Sequence, residues 1–425
     1  MIRGYPAIFV ACAFPVLLLA TELKVGSAMP YATIRSALAA ASPGDRITVH
    51  AGVYREGNLL VDKPLTLTGV GRPVLDGAGT VEVCTITASD VSLQGFDIKD
   101  GGSSSLDDLA GVKISGARRV VVRDNRIEHC HFGVYVSKST ECTVSGNTIT
   151  GLPRGEQDTG NGIHLWSCDR ITVTDNTIRQ HRDGIYLEFA TASRIEQNLV
   201  DRNLRYGLHY MFSHDSVYSR NTFSRNGAGV AVMYSRNVEM SANRFSRNWG
   251  SSSYGLLLKD MTDGKITGND FDSNSIGIAL HGSNRMTVEG NRFAENGWAI
   301  QVQSSSSDNV YRRNNFTGNA FDVGADGELD NNRFEHNHWQ KYEGYDLARD
   351  GIGDTPHRPV SLYGVVVQRV PPAVLLLRSP VVHLLDQAEK TFPTITPEGI
   401  QDESPSMRTF PFSLQDKTPN PEHEP

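Results

Sequence analysis

His209, Met211 and Met233 are the residues of this 425-residue chain whose types and spacing best suit chemistry. One residue separates His209 from Met211, so on a β-strand both side chains leave the same face. Met233 follows Met211 by 22 residues, the spacing that recurs through the chain. Thioether and imidazole groups together suit copper(I), held transiently in an open site. His164 and Glu188 occupy the matching face of the two preceding repeats and stand at the edge of this candidate metal set. Tyr135, Trp166 and Tyr186 share the face, which makes an apolar seat for a partner protein the competing use of the same surface.

The elements that must position these side chains follow from a repeat. Asparagines in the short motifs DNRI, GNTI, DNTI, QNLV, RNTF, ANRF, GNDF, GNRF, RNNF and NNRF fall at Asn125, Asn147, Asn176, Asn198, Asn221, Asn243, Asn269, Asn291, Asn315 and Asn332, most often 22 residues apart. A glycine usually follows eight residues later, at Gly111, Gly133, Gly162, Gly184, Gly207, Gly229, Gly255 and Gly277. Short alternating runs such as Ile185-Tyr186-Leu187 lie between polar turns, and alternation reads as strand. Three runs per repeat predict an all-β fold, a right-handed, three-sheet parallel β-helix of about ten rungs of roughly 22 residues. The asparagines are expected to form a structural ladder at the rung spacing of about 4.8 Å.

After each glycine the first and third residues are apolar and predicted to face the core, as in Leu208 and Tyr210. The second residues (Tyr135, His164, Tyr186, His209, Ala231) and fourth residues (Trp166, Glu188, Met211, Met233) are then predicted to form an exposed outer face. Extra residues at Thr150 to Gly160 and Trp249 to Tyr254 predict two loops leaving one edge of the coil. At the N-terminal end, Ile34, Ala37, Leu38 and Ala41 share one helical face within Tyr31 to Ala41, a candidate cap helix.

The remaining segments fill in the organisation. Arg3 and the apolar run Ala7 to Ala20 read as an export signal over residues 1–20, the coil spans 21–344, a linker loop spans 345–364, and a tail spans 365–425. Cys84, Cys130, Cys142 and Cys168 show no dense framework, and their pairing stays open. His129-Cys130-His131 reads as a surface turn, since three neighbouring side chains do not converge. Asp346, Asp350 and Asp354 space acids along a Gly-rich loop, but three acids favour a plain turn over calcium. A net charge of −7 with no basic face argues against nucleic acid. In the tail, Leu375, Leu376 and Leu377 precede Ser379 and Pro380, a good helix start. Val381, Leu384, Leu385 and Phe392 then form an apolar stripe that could cap the coil or dock on a membrane subunit.

The stretches IRSALAAASPGDRITVHAGVYREG, KPLTLTGVGRPVLDGAG and YDLARDGIGDTPHRP, and above all the tail RSPVVHLLDQAEKTFP, resemble the NosD family, periplasmic accessory proteins of nitrous oxide reductase maturation. The resemblance covers nearly the whole chain. It implies a non-enzymatic periplasmic β-helix held at the inner membrane by an ABC transporter, composed of a membrane subunit and a cytoplasmic ATPase. It also implies a part in building the copper–sulfur centre of the apo-reductase, with copper from a lipoprotein chaperone. The ligand residues above come from the outward columns, not from the family. The competing class is a secreted carbohydrate-active β-helix enzyme, a lyase, hydrolase or epimerase. Glycoside hydrolysis needs carboxylates gathered about 5–10 Å apart, and the outward columns supply only Glu188.

Overall fold

The structure, a computed structural model, describes residues 20–104, 107–153, 155–250, 253–327, 329, 331–391 and 400–414. The expected signal segment and Phe392 therefore lie outside the described residues, apart from Ala20.

Three parallel sheets wind around one apolar core. Sheet 1 stacks 14 strands from Glu22–Val25 to Arg333–Glu335, sheet 2 stacks 13 from Val53–Tyr54 to His338–Trp339, and sheet 3 stacks 12 from Leu59–Val61 to Phe321–Ala325. The coil is a right-handed parallel β-helix, but it has about fourteen turns where the motifs gave ten. The early rungs lack the Asn-Gly signature but continue the same parallel pairing and core column. Leu23 pairs with Ile47, Ile47 with Leu67, Leu67 with Leu93 and Leu93 with Val122, all buried. Further along, sheet 2 lines the core with a stack of Phe223, Phe245, Phe271, Phe293, Phe316 and Trp339, ring centroids 4.1 to 5.6 Å apart.

The asparagine ladder is present, with its register corrected at one end. Each buried side-chain oxygen accepts from the backbone N–H and the amide of the preceding rung, as Asn198 Oδ1 does from Asn176 N and Nδ2, both at 3.0 Å. Asn291 continues to Asn314 and then Asn337, not to Asn315 and Asn332. With those members the last two spacings are 23 residues each, where the motif choice gave irregular gaps. Asn315 instead clips the tail, donating to Phe410 O at 3.0 Å and accepting from Phe410 N at 2.9 Å. A second ladder, Asn203 through Asn226, Asn248, Asn274 and Asn296 to Asn319, turns the chain from sheet 2 to sheet 3. The repeat glycines open sheet 3 for a steric reason. A β-carbon at Gly207 would lie 2.7 Å from the Gly229 carbonyl oxygen of the next rung.

Both ends are closed. Helix α1, Ile34–Ala40, begins at Thr33, whose side chain accepts from Ser36 N, and buries Ile34, Ala37 and Leu38. At the other end Asp402 takes the place of the next ladder asparagine. Its Oδ2 accepts from Asn337 N at 2.9 Å, Asn337 Nδ2 at 3.0 Å and Trp339 Nε1 at 3.0 Å. Helix α2, Leu362–Arg369, lays Tyr363 and Val367 against Phe321 and Trp298, with Val382 of α3, Pro380–Thr391, completing the cluster. Leu377 and Leu385 pack onto that cluster, whereas Leu375 (87% exposed), Leu376, Val381 and Leu384 (66%) face outward. The tail thus covers the coil with one stripe and leaves another apolar stripe bare. No helix among the described residues is long and apolar enough to cross a membrane.

Candidate metal and partner face

On the outer face of sheet 3 the register places Glu188 beside Met211 and Met211 beside Met233 on three consecutive rungs. His209 leaves the same strand two residues before Met211. Met233 and Tyr206 pack on a small cluster of Ala231, Leu257 and Ala279, and the Tyr206 ring lies 4.8 Å from the His209 ring. His209, Met211, Met233 and Glu188 therefore share one neighbourhood. His164 does not join them. The Tyr186 ring lies between the two imidazoles, 4.7 Å from His164 and 4.8 Å from His209.

The expected exposure of this face is corrected for its second-residue column. Tyr135, His164 and His209 point away from the core yet are buried. The cause is a further outward column, the residue before each repeat glycine, which holds Phe132, Asn161, Asp183 and Tyr206 on successive rungs and leans over its neighbours. Phe132 packs on Tyr135 at 5.3 Å and on His164 at 5.4 Å. Burial drives the His164 imidazole down to about 3, so it stays neutral, and pushes the Tyr186 phenol up to about 12. Burial pushes the Tyr135 phenol upward as well. Asn161 Nδ2 approaches His164 Nδ1 at 3.3 Å.

Asp183 is the residue that the repeat analysis passed over. It has no exposure, and burial alone would raise its carboxyl, but the Arg205 fork and His209 outweigh that effect and hold it at about 2. Arg205 Nε donates to its Oδ1 at 2.9 Å, and His209 Nδ1 lies 3.6 Å from its Oδ2. Both ring nitrogens of His209 are buried and meet no hydrogen-bond partner among the described residues. The signal was available, since Asp183-Gly184 replaces the aromatic or aliphatic residue found before most repeat glycines.

A second surface feature lies one residue beyond the fourth-residue column. Phe189, Phe212 and Tyr234 occupy left-handed turn positions with φ of 52°, 49° and 51°. Corresponding turns hold Lys138, Ser167 and Asp260, which are polar. The three rings stack at 5.4 and 5.0 Å with interplanar angles of 9° and 14°, and all three are exposed. Exposed aromatic side chains on left-handed backbone add nothing to the core. Trp166, under Lys138 Nζ at 5.2 Å, extends this face, while Tyr135 is too buried to offer area.

The other candidates resolve differently. Cys84, Cys130, Cys142 and Cys168 are free and buried. His129 faces Asp100 at 3.3 Å and His131 packs on Phe132, so the His129-Cys130-His131 turn does not converge. Asp346 accepts from Gly351 N at 2.9 Å and Asp350 N at 3.2 Å, and Asp350 from Ile352 N at 2.9 Å, as turn-forming acids do. Among the described residues, no three His, Cys, Asp or Glu side chains gather as a metal site.

Residues 152–344 match the family described as periplasmic copper-binding protein (NosD), and residues 75–168 match the right-handed β-helix region. The chain is 30% identical over 391 residues to "Probable ABC transporter binding protein NosD" of Stutzerimonas stutzeri, covering 86% of this chain and 87% of that one. This chain belongs to the NosD family. The relative of the same description from Pseudomonas aeruginosa is 31% identical over 389 residues, covering 85% and 88% of the two chains. NosD relatives thus carry the names of transporter binding proteins rather than enzymes. Solved structures share only the fold. The Streptococcus pneumoniae surface adhesin PfbA superposes with a TM-score of 0.56 at 13% identity, covering 71% of this chain and 92% of the adhesin. The α-1,3-glucanase of Streptomyces thermodiastaticus gives 0.54 at 18% identity, covering 72% and 62%.

Proposed function

We propose that this NosD-family chain is the periplasmic β-helix of an ABC transporter complex and hands copper, as cargo, to the apo form of nitrous oxide reductase while its copper–sulfur centre is built. One observation carries the reading: Met211 and Met233 are register neighbours on the outer face, beside His209, whose Nε2 is unpaired. Two thioethers and an imidazole suit copper(I), with Glu188 at the rim. Half-buried methionines give an open site that releases what it takes up. The exposed Phe189, Phe212 and Tyr234 stack, with Trp166 and Tyr186, provides the apolar seat on which a copper chaperone lipoprotein and the reductase would dock in turn. The bare stripe of Leu375, Leu376, Val381 and Leu384 would engage the transporter's membrane subunit, which is coupled to a cytoplasmic ATPase and keeps the coil at the inner membrane.

The test replaces Met211 and Met233 together by leucine, which keeps apolar volume and removes sulfur. The reading predicts reductase that matures with reduced copper content while the variant still co-purifies with its transporter. Reductase with a full copper complement would leave the face as a docking surface only.

A further inference from the structure

We propose that Asp183 is the positioning residue for His209, fixing its proton on Nδ1 so that Nε2 is presented as the metal-binding lone pair; the inference rests on reading His209 as a copper ligand. The geometry is specific to this rung. Asp183 takes the outward position before the repeat glycine, where the next rungs carry Tyr206 and Ala228, and it is buried with no exposure. Three contacts hold its carboxylate. Arg205 Nε donates to Oδ1 at 2.9 Å, Arg205 Nη2 donates to Oδ2, and Tyr206 N donates to Oδ1 at 3.2 Å. Oδ2 is also the oxygen that faces His209 Nδ1, at 3.6 Å.

A carboxylate accepts and never donates, so it favours the tautomer with hydrogen on the facing nitrogen. That leaves the lone pair on Nε2; neither ring nitrogen makes a hydrogen bond, and Nδ1 has the Asp183 carboxylate at ion-pair distance, 3.6 Å. The Tyr186 and Tyr206 rings, each 4.8 Å from the imidazole, hold the ring between them. A histidine ligand whose other nitrogen is turned to a carboxylate is a recurrent arrangement in metal sites, and its loss typically costs 10–100-fold in affinity. His164 makes the contrast. Its Nδ1 meets the Asn161 amide, and among the described residues no carboxylate forms an ion pair with it.

The substitution Asp183→Asn makes the role visible. Asparagine keeps one acceptor oxygen and loses the charge, so whichever way its amide lies it offers the Arg205 fork and Tyr206 N fewer acceptor sites, and the preference it gives His209 for a proton on Nδ1 is weakened. Four experiments on the purified full chain separate the possibilities. Long-range 1H–15N correlation of the histidine rings, without metal, should show His209 protonated on Nδ1 in the unaltered protein. An Nε2-protonated ring there overturns the proposal whether or not the variant folds. Copper(I) titration against a chromophoric chelator should show a 10–100-fold loss for Asp183→Asn, and unchanged affinity would also overturn it. Arg205→Gln, which keeps the carboxylate, should retain the tautomer and most of the affinity; loss equal to that of Asp183→Asn would assign the effect to the ion pair instead. If His209→Ala binds copper(I) as tightly as the unaltered chain, the ligand reading falls, while the tautomer experiment still judges Asp183 by itself.

Discussion

Asn314 and Asn315 are chain neighbours with the same side chain, and the structure gives them opposite energetic roles. Asn314 is fully buried in the ladder. Its oxygen accepts from Asn291 N at 2.9 Å and Nδ2 at 3.0 Å, and its amide donates to Val288 O at 2.9 Å and Asn337 Oδ1 at 3.0 Å. Truncation to alanine strands the Asn291 backbone N–H with no water in reach, at about 1–3 kcal/mol. It also removes the amide's bonds to the neighbouring rungs, at about 1 kcal/mol each. The Asn314→Ala loss should therefore be roughly 3 kcal/mol. Asn315→Ala releases only the half-buried Phe410 clip and should cost about 1 kcal/mol or less. Urea unfolding followed by circular dichroism measures both. In a solenoid the lesion acts between adjacent rungs, so a separate early transition for the C-terminal rungs would count as the same loss. Equal losses for the two variants, or a larger one for Asn315, would refute the ladder register.

Two further outcomes follow from the burial pattern. Burial holds His181 and His357 at about 4, against an ordinary value near 6.5, so the folded chain refuses protons that the unfolded chain accepts. Stability should fall as pH drops from about 6.5 toward 4, by on the order of 3 kcal/mol from His181 alone; His181→Phe should flatten the slope of melting temperature against pH, and an unchanged slope would contradict this. In the tail, Leu375→Gln with Leu384→Gln should abolish co-purification with the transporter while leaving the melting temperature within about a degree, because both side chains are exposed. Truncating the tail would be a poorer test, since it would also remove Asp402 from the end of the ladder.

The fold was legible because a solenoid repeats its constraints. The asparagines and glycines kept phase wherever backbone turns required them, and the alternating strands between them identified the core column. The count of rungs was not legible at the N-terminal end, where Leu23, Ile47, Leu67 and Leu93 continue the core without marked turns. At the C-terminal end, two adjacent asparagines offered two registers, and only the hydrogen bonds choose Asn314. The site was half legible. Alternation placed His209, Met211 and Met233 on one face, and the register confirms that placement. Burial of that face was hidden, because strict alternation assigns the residue before the glycine to the core column, with Leu208 and Tyr210. Asp183 and Tyr206 instead meet His209 on the outer side, at 3.6 Å and at a ring distance of 4.8 Å. Phe189, Phe212 and Tyr234 were missed for a related reason. They lie in the turn just past the strand, where alternation says nothing.

The central claim is that sulfur and nitrogen from this face take up copper(I), and X-ray absorption at the copper edge of the loaded full-length chain tests it most directly. The account predicts a mixed shell of thioether sulfur and imidazole nitrogen, with the sulfur contribution lost in the Met211→Leu, Met233→Leu chain. A shell without sulfur in the unaltered protein, or one that the double substitution leaves unchanged, would contradict it.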